Sequence, residues 1–186
     1  MELIGTVVRL QVQRSPLKPG PRGARVYDPS PLQEVSALDV TPRGVVGWSA
    51  GAAILDVHHA DHPQTRNRGG NGLSVMTASR YAVLRERYGA HLADGLAGES
   101  LLLDTQHLDD LSGPLVLETG AGRLQLDSQP AEPCVEFTRD ALQRSVGDTG
   151  PEVREALADL DGGARGYYLA TDGTARVTAG ARLLRT

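Results

Sequence analysis

The chain has 186 residues and a formal net charge of −4, from 19 Lys and Arg against 23 Asp and Glu. One domain spanning 1–186, with a sizeable core, is the expectation at this length. The balance of charge lacks the basic footprint that nucleic acid or an acidic membrane surface requires, so neither is expected as a partner.

One cysteine excludes an intramolecular disulfide and any multi-cysteine zinc site, and it fits a reducing, cytoplasmic setting. No basic region followed by an apolar run opens the sequence, and no apolar run reaches membrane-spanning length, so neither a signal peptide nor a membrane span is expected. The 22 glycines and 11 prolines are spread along the chain, which suits many short strands joined by turns.

Glu2 to Val12 alternates, with Ile4, Thr6, Val8, Leu10 and Val12 on one face, and predicts a strand. Ser15 to Ser30 is dense in Pro, Gly and Arg and predicts a surface loop. It groups Lys18, Arg22 and Arg25, which are either a solvated loop or a clamp for an anionic ligand. Leu32 to Val40 predicts a strand with Val35, Ala37 and Leu38 inward, and Pro42-Arg43-Gly44 a turn. Val45 to Ile54 is small and apolar and fits no single period.

Asp56-Val57-His58-His59-Ala60-Asp61-His62-Pro63 holds three of the five histidines and two aspartates. Histidine and carboxylate are the usual zinc or iron ligands, but no standard ligand spacing is met. A polar loop, ligand contacts, and a metal hydrolase centred on Asp56, His58, Asp61 and His62 are the alternatives. Thr65-Arg66-Asn67-Arg68-Gly69-Gly70-Asn71-Gly72 follows. Amides freed by glycine beside guanidinium groups suit an oxyanion or phosphate, although no P-loop pattern is present and an ordinary turn has the same composition.

Leu73 to Met76 predicts a strand, and Thr77 or Ser79 caps a helix with Tyr81, Leu84 and Tyr88 on one stripe and Gly89 as its stop. Leu101 to Asp104 is a further strand. Leu115 to Glu118 and Gly122 to Asp127 form a hairpin across Thr119-Gly120-Ala121. Pro151 to Leu160 predicts a helix with Pro151 at its first position and Val153, Leu157 and Leu160 at helical spacing. Tyr167 to Ala170 and Arg182 to Leu184 close the chain as strands, and Asp172-Gly173 is a hairpin turn signal.

The lone cysteine lies in Gln129-Pro130-Ala131-Glu132-Pro133-Cys134-Val135-Glu136-Phe137, between an alternating strand from Gly122 and a helix marked by Val135, Leu142 and Val146. A thiol near a helix N-terminus meets partial positive charge, which favours the reactive thiolate. A free cysteine is equally a small buried hydrophobe, so both readings of Cys134 stand on the local sequence.

The order of these features resembles the MOSC domain, the C-terminal domain of molybdenum cofactor sulfurases. The resemblance runs through the opening strand Ile4 to Leu10, Asp56-Val57-His58-His59, Gly69-Gly70, the Ser74 strand and the Tyr81 helix. It continues through Gly98-Glu99-Ser100, Gly122-Arg123-Leu124 to Pro133-Cys134, and Gly163-Ala164-Arg165-Gly166-Tyr167-Tyr168 to Leu184. Ser100 stands where the family usually has Asn, and four residues separate Gly51 from Asp56 where the family often has Gly-Asp.

The resemblance implies a mainly β fold, a bent and mostly antiparallel β-barrel with a few peripheral helices. It implies the molybdenum cofactor, molybdopterin-bound, with Cys134 as metal ligand or sulfur carrier. Arg66, Arg68, Asn71, Lys18, His58, His59, Asp56 and Glu99 are then the cofactor-binding candidates. The implied reaction is reduction of N-hydroxylated compounds or sulfur transfer, served by a separate electron-transfer protein or desulfurase. Pyridoxal phosphate would enter only through such a partner, because Lys18 is the only lysine and is not suited to a Schiff base. The alternative is a non-enzymatic carrier that accepts persulfide sulfur at Cys134.

Overall fold

The structure is a computed structural model that describes residues 1–106 and 110–186. Its strands are β1 (Glu2–Gln13), β2 (Leu32–Glu34), β3 (Ala37–Thr41), β4 (Gly44–Ser49), β5 (Ala52–Leu55), β6 (Ser74–Thr77), β7 (Leu101–Asp104), β8 (Gly113–Thr119), β9 (Gly122–Pro130), β10 (Tyr167–Ala170), β11 (Ala175–Thr178) and β12 (Arg182–Arg185). Its helices are α1 (Ala78–Tyr88), α2 (Val135–Ala141) and α3 (Pro151–Asp159).

Seven strands close a barrel in the order β1-β12-β8-β9-β10-β6-β7, returning to β1. Every pairing in this ring is antiparallel except β6 with β7. The fold is therefore mainly β and mixed, as the short strands and turns imply. β2 pairs with the far end of β1, and a second sheet, β11-β3-β4-β5, packs beside the barrel.

One apolar cluster fills the barrel and continues beneath the second sheet, joining Val7, Leu103, Leu117, Leu126 and Leu183 to Leu38, Val40 and Val177. A second cluster lies under the helices and contains Met76, Tyr81, Leu84, Phe137, Leu160 and Cys134. No helix of the described residues is long and apolar enough to cross a membrane.

Helix α1 is built as its sequence predicts. Thr77 caps it, accepting from the Arg80 amide, Gly89 ends it, and Tyr81 and Leu84 are buried. Helix α3 starts with Pro151 and buries Val153, Ala156 and, just past its end, Leu160.

Four expectations change, and one open stretch is resolved. The strand from Glu2 does not keep one face, because bulges fall between Leu3 and Gly5 and between Val7 and Arg9. Each bulge shifts the alternation, so Val7 is buried and Val8 is 48 % exposed. Leu32 to Val40 is two strands in different sheets, turning at Ser36, although Val35, Ala37 and Leu38 are all buried. Val45 to Ile54 is a hairpin whose turn residues Ala50 and Gly51 both have positive φ, at 49° and 81°. Asp172-Gly173 turns the chain, but β10 and β11 part into different sheets rather than pairing. Helix α2 ends at Ala141 and buries Phe137, Thr138 and Ala141, leaving Val146 48 % exposed beyond it.

Three backbone segments meet at Gly44. Its φ is +116°, and a Cβ there would lie 2.7 Å from His59 Cα, while a Cβ at Gly72 would lie 2.8 Å from Gly44 Cα. This contact seats the histidine loop and the glycine-rich loop against β4. Gly44→Ala is expected to lose at least about 2 kcal/mol of unfolding free energy, because strained φ and backbone overlap coincide. Gly180→Ala, with φ +91° but open space around it, should lose on the order of 1 kcal/mol. Denaturant titration of both variants checks the difference.

Candidate functional site

The loops leaving β1 and β9 and the loops entering β6, β7 and β10 enclose a cavity of about 440 Å³. Cys134, Glu99, His58, Arg66, Arg68, Asn71 and Lys18 all line it, so seven of the nine residues that the resemblance points to are brought together. Asp56 and His59 are not on its wall.

Asp56 instead acts one step back. It is buried and accepts from the Gln13 amide at 2.7 Å and the His58 amide at 2.7 Å, and its Oδ1 lies 3.0 Å from His58 Nδ1. It therefore ties the end of β1 to the histidine loop and fixes the His58 ring. His59 is buried beneath the loop, and its Nδ1 accepts from the Asp61 amide at 3.2 Å.

The metal hydrolase reading fails on this geometry. Asp61 is engaged by Arg43, and His62 Nε2 lies 3.1 Å from the Arg14 carbonyl, both away from His58. Among the described residues no group of three or more His, Cys, Asp or Glu side chains could hold a metal ion.

The glycine-rich loop folds on its own polar side chains. Asn67 Nδ2 donates to the His58 carbonyl at 2.7 Å, Asn71 Oδ1 accepts from the Arg68 amide at 2.7 Å, and Asn71 Nδ2 donates to the Arg66 carbonyl at 3.0 Å. Arg68 forms an exposed ion pair with Glu132 at 3.6 Å. Lys18, Arg25 and Arg66 have no carboxylate within ion-pair distance among the described residues, and all three line the cavity.

Cys134 occupies the N-cap position of α2 with an extended backbone. Its carbonyl accepts from both the amide and the hydroxyl of Thr138, at 2.9 and 2.8 Å, which pins the residue. The thiol is 6 % exposed and donates to Glu136 Oε2 at 3.3 Å. Burial pushes the Glu136 carboxyl up. Hydrogen bonds from its own backbone amide and from Cys134, with Lys18 and Arg25 nearby, outweigh that and leave it below its ordinary value.

Glu99 is 5 % exposed and precedes β7. Burial raises its carboxyl to about 7, against the opposing hydrogen bonds from its own amide and from Tyr81 and the charge of Arg9. Oε2 accepts from the Tyr81 hydroxyl at 2.9 Å, and Oε1 has no hydrogen-bond partner among the described residues.

Arg165, Tyr27 and Tyr168 also line the cavity and were not singled out as site residues in the sequence. The Arg165 guanidinium lies 5.3 Å over the Phe137 ring and donates to the Glu132 carbonyl at 3.1 Å and the Ala97 carbonyl at 3.4 Å. It borders the cavity while protein encloses the rest of it. Burial works against its charge, but Cys134 and then the tyrosines Tyr27, Tyr168 and Tyr81 raise it above the ordinary arginine value. Arg165 stands between glycines of positive φ, and a Cβ at Gly166 would lie 2.5 Å from the Val75 carbonyl, so this turn is pressed onto β6. Tyr27 donates to the Leu96 carbonyl at 2.5 Å and meets Phe137 edge-on at 5.3 Å, and burial raises its hydroxyl well above the usual range. The Ser15 to Ser30 segment is the surface loop expected, exposed over residues 18–24, and its Pro16, Leu17, Lys18, Arg25 and Tyr27 also wall the cavity.

No family model matches the sequence, and no curated protein matches it. Solved structures do. YuaD from Bacillus subtilis matches with a TM-score of 0.59 and 14 % identity over 96 % of this chain and 93 % of that one. YiiM from Geobacillus stearothermophilus matches with a TM-score of 0.56 and 16 % identity, covering 96 % and 73 %. YiiM from Escherichia coli matches with a TM-score of 0.53 and 14 % identity, covering 82 % and 63 %. These proteins have the MOSC fold, and this chain shares it. At such identities the likeness is one of fold.

The raised Glu99 carboxyl has a consequence for stability. Between pH 4.5 and about 7 the folded state holds a proton that the unfolded state has released, so stability falls as pH rises through that window. Above it the charged carboxylate costs about 3 kcal/mol. Glu99→Gln is therefore expected to raise the unfolding free energy at pH 8 by up to about 3 kcal/mol, with the gain vanishing below pH 4.5. Denaturant titrations at pH 4, 6 and 8 check the trend.

Proposed function

We propose that the chain binds a molybdenum–pterin cofactor in this cavity, with Cys134 as its soft sulfur ligand. The observation that carries the reading is the company of the thiol. The one sulfur nucleophile of the chain lines a cavity that also presents Lys18, Arg25 and Arg66, none of them within ion-pair distance of a carboxylate among the described residues. A shared fold with MOSC proteins, a molybdenum-cofactor-associated class, supports it.

The residues fit the group. A thiolate is the donor type that soft metals select. Guanidinium forks match phosphate oxygens, and the lysine adds a point charge. The volume falls in the range of small-molecule sites. Bound there, the cofactor would supply a redox-active metal to substrates such as N-hydroxylated compounds, with electrons from a separate redox protein.

The remaining roles belong to the chain itself. Thr138 holds the Cys134 backbone, and Glu136 stands 3.3 Å from the sulfur to take its proton when the thiolate forms. Lys18 and Arg25 offset the charge of Glu136. Arg66 and Arg68, with Asn71 shaping their loop, hold the phosphate. His58, braced by Asp56, lines the wall without serving as a metal cage.

Protein made in a cofactor-producing host should carry molybdenum and pterin near equal amounts. Cys134→Ser should lower retained molybdenum at least about tenfold, the loss of a soft ligand. Arg66→Ala with Arg68→Ala should lower retained pterin while leaving the Cys134 thiol titratable. Full molybdenum occupancy in Cys134→Ser would sink the thiolate role.

The thiol's hydrogen bond to Glu136 also favours a second reading, a sulfur carrier. The terminal sulfur of a desulfurase persulfide would bond to the Cys134 sulfur, the desulfurase thiolate would leave, and the Cys134 proton would pass to Glu136. Pyridoxal phosphate would remain on that desulfurase. Incubation with a desulfurase and free cysteine should then add the mass of one sulfur atom, detected in the intact protein and absent in Cys134→Ser. An unchanged mass rules the carrier out.

A further inference from the structure

Two lining residues of the cavity carry buried polar atoms without a hydrogen-bond partner among the described residues, Glu99 Oε1 and Arg165 Nε. Glu99 is the more demanding of the two, because an unmet carboxylate oxygen in a dry wall carries the full desolvation penalty. Of the neighbouring donors, Tyr81 OH bonds Oε2 and Gln13 Nε2 donates to the Gly98 carbonyl at 2.6 Å, while Nε of Arg9 and of Arg165 hydrogen-bond no described residue. The Tyr81 hydroxyl is fixed in turn by the Ala97 amide, which donates to it at 2.8 Å. The carboxyl is thus held by Tyr81 and by its own amide, and Oε1 has no partner on another described residue.

The chemistry of the cavity is divided. Its cations, Lys18, Arg25 and Arg66, ask for an anionic group on the ligand, and Glu99 asks for N–H donors from another part of it. An aminopyrimidinone ring meets the second requirement, since its ring N–H and neighbouring exocyclic amine lie side by side on one edge. At pH 8, where the carboxyl is ionised, a 2,4-dioxo ring presents a carbonyl oxygen where that amine would be, and two acceptors would then face each other without a proton between them.

Resting on the reading of the cavity as a pterin site, we infer that Glu99 recognises the aminopyrimidinone edge of the pterin through Oε1 and rejects 2,4-dioxo analogues. Sites built to bond a ligand's N–H discriminate strongly against an analogue lacking it, because the buried group is left unpaired. Glu99 is a binding residue in this role and takes part in no bond-making step. It stays in place although its charged form burdens the fold, which is the pattern expected of a recognition group rather than a structural one.

The test uses the metal-free, fluorescent probes pterin-6-carboxylate and lumazine-6-carboxylate, titrated into the full chain at pH 8, where Glu99 is ionised. Wild type should bind the pterin at least about tenfold more tightly than the lumazine. In Glu99→Gln, whose amide can donate to the lumazine carbonyl, that preference should fall to near unity or invert, with folding checked by the denaturant curves expected to show a more stable protein. A pterin preference unchanged in Glu99→Gln, while Arg66→Ala weakens both probes, overturns the inference and leaves the cavity a pterin site read by other groups. Failure of both probes to bind wild type overturns the reading of the cavity itself and the inference with it.

Discussion

The parallel pairing of β6 with β7 is the constraint on which the site depends. An antiparallel pair is joined by a short turn, whereas a parallel pair needs a crossover that carries the chain back to the same end. Here the crossover is Ala78 to Ser100, containing α1. Its return delivers Gly98-Glu99-Ser100 to the start of β7, beside the start of β6. The junction is tied by the Ser100 amide, which donates to the Ser74 carbonyl at 3.1 Å, and by the Gln11 amide, which donates to the Ser100 carbonyl at 3.1 Å. The glycine-rich loop before β6 and the Glu99 turn before β7 thereby become neighbours although they lie about one helix apart in sequence. Pairing β10 against β6 and β9 then brings Arg165 and Cys134 to the same region, with Tyr167 opposite both Val75 and Pro130.

This arrangement gives each loop a separate chemical duty on a rigid frame. Strand ends fix where the loops begin, and buried polar side chains fix how they run. Asp56 bonds two backbone amides and a histidine ring, and Asn67 and Asn71 replace backbone partners for the glycine-rich turn. The cations are left on the solvent side, where water screens them until a ligand displaces it. The thiol and Glu99 are placed where water is scarce and a single interaction matters more.

Much of the fold was legible because the signals were local. The Thr77 cap, the Gly89 stop, Pro151 at the start of α3 and the hairpin across Gly120-Ala121 each follow from a few adjacent residues. What failed was whatever the partner strand decides. Val8 belongs to the polar side only because a bulge against β7 inserts it, and Asp172-Gly173 turns without pairing because β11 is captured by β3. The site divides in the same way. Cys134, Arg66, Arg68, Asn71, Lys18, His58 and Glu99 were named from residue type and resemblance, and all reach the cavity. Arg165 and Tyr27 were missed because nothing in a glycine-rich turn or a proline-rich loop reveals which way it packs. His59 and Asp56 share their stretch with His58, yet a tight turn sends neighbours in opposite directions.

The two readings of Cys134 turn out to be aspects of one position. Its sulfur belongs to the apolar cluster of Met76, Tyr81 and Phe137, and the same residue borders the cavity. A buried thiol at such a boundary is shielded from bulk oxidants and open to one direction of approach. Glu136 and Arg165 set the local charge on either side of it, one accepting from the thiol and the other sharing its electrostatic field. Replacing Cys134 by a hydrophobe of similar size would satisfy the apolar cluster as well. The packing alone therefore gives no reason for a thiol at this position, whereas the cations Lys18, Arg25 and Arg66, the acceptor Glu136 and Glu99 line the same cavity that the thiol borders.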